Sequence, residues 1–414
     1  MRQPAPRSFA RPFADRQFRL LIWLLLGVVG WAGVALVGLA LFSAKPPKAG
    51  FDLELILEAG RRVRAGLSPY APGLVDGTAQ LQAVDLFYSY PPPVSQAFAV
   101  VAGLPSGVML LSLGALATAG VAYVSAVIGR LLRPGIAASE FVIPTLAVLP
   151  FLYPFAVALL FGNLDAFYPL VYGLVLVALL ARSPGAIAVG GLGVALVSVA
   201  KLHPALLGLW LLLRGLRIRR PDAPWPTSWR LLAVAAVSGV AVLLVSLLVG
   251  GTQPWLDYLA VLRTASGAGL VLGNNIGPAA QIALLTAGGD ALARALQVPV
   301  LVLAVVVAGV AAWRVVDVVE SLAWAAAASL VVLPITWFHY PAAMIPFALA
   351  AVARAIGTPQ ATRVNWLVAG SVIVAIASIG LPVLIWVAVA FALAAVRASG
   401  VRKSASLASG FVGA

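Results

Sequence analysis

The sequence predicts an all-α integral membrane protein, a bundle of about 12 transmembrane helices with extracytoplasmic loops and interfacial helices. Three observations carry that expectation. Hydrophobic residues make up 62% of the 414 and charged residues only 10%, with a mean hydropathy of +1.05, a balance foreign to soluble domains. Apolar runs recur at the length a helix needs to cross hydrocarbon, about 20 residues. Lys and Arg collect in alternate loops between these runs, as the positive-inside rule requires.

Residues 1–19 read as a cytoplasmic N-terminal tail. They are basic but include Asp15, and the apolar run after them lacks a small-residue cleavage site, so a removed signal peptide is not expected. Spans are expected at 20–42, 106–130, 138–161, 164–181, 186–200, 203–216, 231–250, 296–313, 319–336, 341–355, 365–379 and 381–397, a single domain over 20–397. Residues 398–414 form a second cytoplasmic tail. With the N-terminus inside, most of the positive charge falls in cytoplasmic loops, RGLRIRRPDAPWPTSWR at 214–230 above all. The net charge of +14 is therefore a topology signal, and nucleic acid is not an expected partner. The cations left outside are Lys45, Lys48, Arg61, Arg62, Arg64, Lys201, Arg263 and Arg294. The absence of cysteine excludes disulfides, thiolate catalysis and thiolate metal sites and leaves the redox compartment open.

Two outer loops are long, 43–105 and 251–295, and loops of that length are usually functional. In the first, Leu53, Ile56, Leu57, Gly60 and Val63 recur at helical spacing while Glu54, Glu58, Arg61 and Arg62 take other faces. This predicts a short amphipathic helix on the outer membrane surface, with Glu58 and Arg62 as a surface pair four residues apart. Asp52 begins it. A carboxylate there serves as N-cap, without a capping-box partner because position 55 is Leu, or as a general base meeting a lipid-borne substrate; the residues leave both open. VSQAFAVVAGLP, 94–105, is too short to span and is expected to lie in the interface or re-enter.

Lys201 is the sole lysine between 48 and 403, set in apolar SVAKLHPAL. An ionisable group at such depth is a functional candidate, suited to holding a phosphate, and His203 stands two residues on. The other histidine, His339, closes a later span in ITWFHYPAAM among aromatic belt residues. FGNLDAFYP supplies Asn163 and Asp165, and LGNNIGPAAQ supplies Asn274, Asn275 and Gln281. With Tyr88 and Tyr90 these are turn formers or partners for sugar hydroxyls. Asp52-Leu53-Glu54 has a metal-binding form, but no adjacent His or acid supports it, and no metal is expected.

The order of these motifs resembles glycosyltransferase family 87, the polyprenyl-phosphate-mannose-dependent α-mannosyltransferases of actinobacterial envelopes, the phosphatidylinositol-mannoside enzyme among them. The resemblance runs from about residue 50 to 345. It rests on Asp52, Leu53, Ala59, Gly66, Pro69 and Tyr70, then Tyr90-Pro91-Pro92, the turn 162–165, Lys201 with Pro204, and His339. The sequence departs at Ile56, where the family has tyrosine, at Gly162-Asn163-Leu164-Asp165 for Gly-Gln-x-Asn, and at Asn274-Asn275 for Asn-Gln-Ser.

The resemblance implies a GT-C bundle in the plasma membrane, both termini cytoplasmic and the active site extracytoplasmic. It implies inverting transfer of mannose from a polyprenyl-phosphate donor to a glycolipid or lipoglycan, without cofactor or metal. Asp52 is then the base. Lys201 faces the phosphate, with Arg61, Arg62 or Arg64 in reserve and His203 as a further donor, while His339 orients the acceptor or relays its proton. Tyr90, Asn163, Asp165, Asn274 and Asn275 become substrate contacts. Alternatives are an arabinofuranosyl donor on the same lipid phosphate and a flippase for a lipid-linked sugar.

Overall fold

The computed structural model describes residues 16–44, 48–79, 81, 86–218 and 225–400. The two expected tails, apart from residues 16–19 and 398–400, lie outside the described residues, as does Lys45.

Every expected span is occupied by helix, but the helices differ in reach. Arg16–Ser43, Ser106–Leu132, Leu164–Ala181, Thr227–Gly250 and Gly289–Arg314 are long and apolar enough to cross a bilayer. Ser139–Phe151 and Tyr153–Phe161 meet the same test only as a pair bent by 72°, the form of a broken span or a re-entrant loop. The bend follows from Pro154, which removes a backbone donor in the first turn of the second piece. The remaining apolar segments, Pro184–Ala200, Leu206–Ile218, Val318–Ser329, Tyr340–Ala355, Ala361–Ala377 and Leu384–Ser399, are shorter. At about 1.5 Å per residue they do not reach across the hydrocarbon on their own. Proline sets the start of several: Pro184, Pro204 and Pro341 each stand in a first turn, where the missing N–H costs nothing.

The core gathers around Tyr168, Tyr172, Trp210 and Phe347, all fully buried. Their polar atoms are matched: Tyr172 Oη lies 2.8 Å from Ser329 Oγ and Trp210 donates to Ser321 Oγ at 3.0 Å. By contrast, Arg16–Ser43 buries Gly27 and Gly30 and turns leucines and valines outward, as a lipid-facing helix does.

At the end of the bundle remote from Asp52 and His339, arginines close helix termini. Arg133 donates to the carbonyls of Ala353, Arg354 and Ile356, and Arg214 to those of Val315 and Val316. These are the carbonyls a helix end leaves unpaired. Arg354 bonds Asp317 at 2.9 Å, and Asp317 caps the helix Val318–Ser329 through the Glu320 N–H. Residues read in sequence as topology signals therefore also tie neighbouring helices together.

The amphipathic helix forms over Phe51–Arg64, with two corrections to its expected surroundings. Its apolar face is spent on protein rather than on lipid: Leu53, Ile56 and Leu57 are fully buried, against Phe98, Met109 and Leu110 on one side and the Tyr70–Tyr88–Tyr258 cluster on the other. Glu58 pairs with Arg61, not Arg62, because Arg62 is engaged by the carbonyls of Ser68 at 2.7 Å and Tyr70 at 2.9 Å. The apolar segment expected over 94–105 begins earlier, as the helix Pro92–Ala99. It packs so closely on Phe51–Arg64 that a Cβ at Gly60 would stand 3.0 Å from the Ala99 nitrogen.

Candidate active site

The site is built on three chain segments that meet near the starts of several helices. The first is the helix Phe51–Arg64. Gly50, at φ +70°, is its N-cap and supplies no side chain, so of the two roles left open for Asp52 the N-cap is not the one it takes. Asp52 stands inside the first turn, where the dipole favours negative charge. Its Oδ2 accepts a hydrogen bond of 2.8 Å from Asn163 Nδ2, and the residue stays partly exposed.

The second segment is the turn 162–165. Gly162, at φ +67°, ends the helix Tyr153–Phe161 in the left-handed conformation that glycine adopts without strain. A Cβ there would fall 2.6 Å from Leu53 Cβ, so glycine also lets the turn lie against the helix that carries Asp52. Asn163 then caps the next turn, its Oδ1 accepting the Asp165 N–H at 2.9 Å. Asp165 is fully buried, and its Oδ2 accepts from Lys201 Nζ at 2.7 Å and lies 2.9 Å from His339 Nε2. Lys201, in extended backbone at the end of Pro184–Ala200, is further held 3.5 Å from Asn163 Oδ1. Its ammonium stands 4.8 Å above the Tyr340 ring and 5.4 Å from that of Tyr90, the separation of a cation–π contact.

The third segment runs into His339. Asn275 and Trp337 form an antiparallel bridge, and the Asn275 side chain is fully committed. Its Nδ2 donates to the carbonyls of Leu270 and Pro334, and its Oδ1 accepts from the N–H groups of Gly277 and Thr336. Expected from sequence as a substrate contact, Asn275 instead clamps the second long loop to the run of turns and bends that ends at His339. Asn275→Ala strips four bonds from a buried position, and each orphaned group costs about 1–3 kcal/mol. The expected result is a lower unfolding temperature in detergent together with weaker activity as His339 is released; an unchanged unfolding temperature would contradict it.

The other sequence candidates fall elsewhere. His203 is buried behind the cluster, 2.7 Å from Tyr168 Oη and stacked on Tyr340 at 4.8 Å between ring centres. It backs the ring that Lys201 rests on and does not itself touch Lys201 or Asp165. Asn274 is exposed beside Asn275, and Gln281 donates to the Asn275 carbonyl. Arg61 is held by Glu54 and Glu58, which push its guanidinium above the ordinary value, and Arg64 points outward. Tyr88 packs with Tyr70, and burial raises both phenols so that they remain neutral. Desolvation, with Asp165 and Asp52 close by, also pushes Tyr90 well above its ordinary value.

Tyr168 and Tyr340 were not among the sequence candidates for the site. Both are followed by proline, as are Tyr90 and Tyr153. A Tyr-Pro pair places the ring at a helix start, and the site lies among such starts. That dipeptide was the available signal.

The arrangement therefore joins one hydrogen-bonded, partly exposed carboxylate, one anchored ammonium and one histidine through successive contacts, with a single amide between the carboxylate and the cation and Asp165 between the cation and the histidine. No curated protein matches the chain. The model of glycosyltransferase family 87 matches residues 88–334, a stretch that contains Tyr90, Asn163, Asp165, Lys201 and His203 and lies between Asp52 and His339. With that match over more than half its length, and with a helical bundle of the GT-C kind, the chain belongs to glycosyltransferase family 87 and is a membrane glycosyltransferase.

Proposed function

We propose that the protein is an inverting α-mannosyltransferase that takes mannose from polyprenyl-phosphate-mannose and adds it to a mannosylated glycolipid or lipoglycan of the cell envelope, on the extracytoplasmic face of the plasma membrane. The observation that supports this best is that Asn163 stands between Asp52 and Lys201, which shares Asp165 with His339. Inversion needs a base at the attacking hydroxyl and positive charge at the leaving phosphate, on opposite sides of the sugar. Asn163 occupies Oδ2 of Asp52 and leaves Oδ1 to take the acceptor proton as the new C–O bond forms, since a free alkoxide is too basic to precede attack. The bond to phosphate breaks in the same step. Lys201 spends donors on Asp165 and Asn163 and keeps the third for the departing oxyanion, with His339 on the same Asp165 oxygen.

A second feature fits a lipid-linked substrate. A cavity of about 670 Å³ runs along the bundle, lined by Phe155, Leu349, Val372 and Val389, and begins at Pro341, two residues beyond His339. Its apolar walls suit a hydrocarbon chain whose headgroup reaches the cluster.

The test is transfer from radiolabelled polyprenyl-phosphate-mannose to extracted actinobacterial glycolipids by purified protein in vesicles. On this reading product forms and chelators leave the rate unchanged. Product only from the arabinofuranosyl donor would replace the sugar. No product from either, with movement of lipid-linked sugar across the vesicle, would replace the reaction by transport.

A further inference from the structure

Two carboxylates flank one amide at this site, and one lysine serves them. Lys201 Nζ lies 3.5 Å from Asn163 Oδ1, while Asn163 Nδ2 bonds Asp52 Oδ2 at 2.8 Å. An ammonium so near could pair with either acid. It pairs with Asp165 at 2.7 Å. Asp165 is fully enclosed, its Oδ1 has no hydrogen-bond partner, and its Oδ2 faces both Lys201 and His339. Nothing enclosed to that degree touches a sugar, so the substrate contact expected of Asp165 does not fit its position.

Building on the transferase reading, we propose that Asp165 is a positioning residue: it anchors Lys201 away from Asp52, so that the base faces its substrate without a counter-ion. The physics is a choice between pairings. A carboxylate joined to an ammonium is a poorer proton acceptor, because protonation would cost it that partner. Asn163 gives Asp52 a hydrogen bond without a charge, and Asp165 supplies the charge that Lys201 would otherwise seek. Buried, the Asp165–Lys201 pair is hard to break by removing one member, which fixes the ammonium for the phosphate. The other ionisable groups around Asp52 leave this choice to Lys201. Glu54 and Glu58, on its own helix, are paired with Arg61; the Tyr90 and Tyr340 rings lie nearby; His339 is engaged with Asp165 Oδ2.

The experiment is the pH dependence of kcat/KM for transfer by the full chain, in the wild type, Asp165→Asn, Lys201→Met and the double variant. Asp165→Asn frees the ammonium to join Asp52. Its kcat/KM falls about 10²-fold, and its acid limb moves to lower pH by about one unit or more. Asp165→Glu restores much of the rate. In the Lys201→Met background the same Asp165→Asn change takes the limb no lower than the wild type's. Should Asp165→Asn fail to fold, Lys201→Met carries the test. An unpaired Asp165 then lifts the limb, and the double variant, neutral at both positions, brings it back. A limb that stays put in every variant, or that falls below the wild type's in a variant without Lys201, overturns the proposal. Absence of product from the wild type overturns the transferase reading with it, whereas product with an unmoved limb overturns this assignment alone.

Discussion

Asp52→Asn folds as the wild type, binds donor, and loses about 10²–10⁴-fold in kcat, the range that a general base contributes. The amide is nearly isosteric with the carboxylate, and its oxygen can still accept the bond from Asn163 Nδ2 that now goes to Oδ2. What it cannot do is take a proton. Single-turnover transfer with saturating donor, set beside donor affinity by direct titration, separates the two. Asp52→Ala loses the same proton acceptor and also orphans Asn163, whose side chain is nearly buried, so it is further expected to unfold at lower temperature. An Asn variant that keeps its rate within about tenfold of wild type would leave Asp52 only the task of steadying Asn163.

Gly162→Ala is expected to be the most damaging single-methyl change near the site. Two costs add: the left-handed backbone at φ +67°, worth about 1–2 kcal/mol for a residue with a Cβ, and a clash in a packed contact, worth about 1–3 kcal/mol. The added carbon would lie 2.6 Å from Leu53 Cβ and 3.0 Å from Leu110 Cδ1, and Leu53 is the neighbour of Asp52. The turn and the helix must therefore part, which separates Asn163 from Asp52 even in molecules that fold. Gly66→Ala is the control. Gly66 has φ +72° but nothing within 4 Å of the added carbon, so it bears the backbone cost alone. Thermal unfolding and transfer rates of the two variants should diverge; equal losses would mean that the Leu53 contact yields freely.

The helices were legible because hydrophobic length and charge alternation are local properties. Their unequal reach was harder to see: the span expected at 138–161 breaks just before Tyr153-Pro154, and the helix within the span expected at 319–336 ends at Ser329. Asp52, Lys201 and His339 stood out for one reason: each is an ionisable residue where an oily chain rarely places one. Their partners did not, because pairing is tertiary. Nothing in the sequence separates Arg61 and Arg62, which serve Glu54, Glu58 and the carbonyls of Ser68 and Tyr70, from cations left free for a ligand. Asn275 reads as a polar loop residue and turns out to be a clamp, because its four partners come from Leu270, Gly277, Pro334 and Thr336. Asp165 was visible as an acid at a turn, but its enclosure depends on Lys201 and His339 arriving from far along the chain.

The meeting of three distant segments at Asp165 also bears on how the protein is made. Synthesis delivers Asp52 early, Lys201 midway and His339 late, and the ion cluster cannot close until the last of these has left the ribosome. Until then a carboxylate and an ammonium must wait in a half-built bundle, a costly state in hydrocarbon. Any chain stopped before Trp337 would carry the family's matched region and the five long apolar helices and still lack the His339 contact with Asp165.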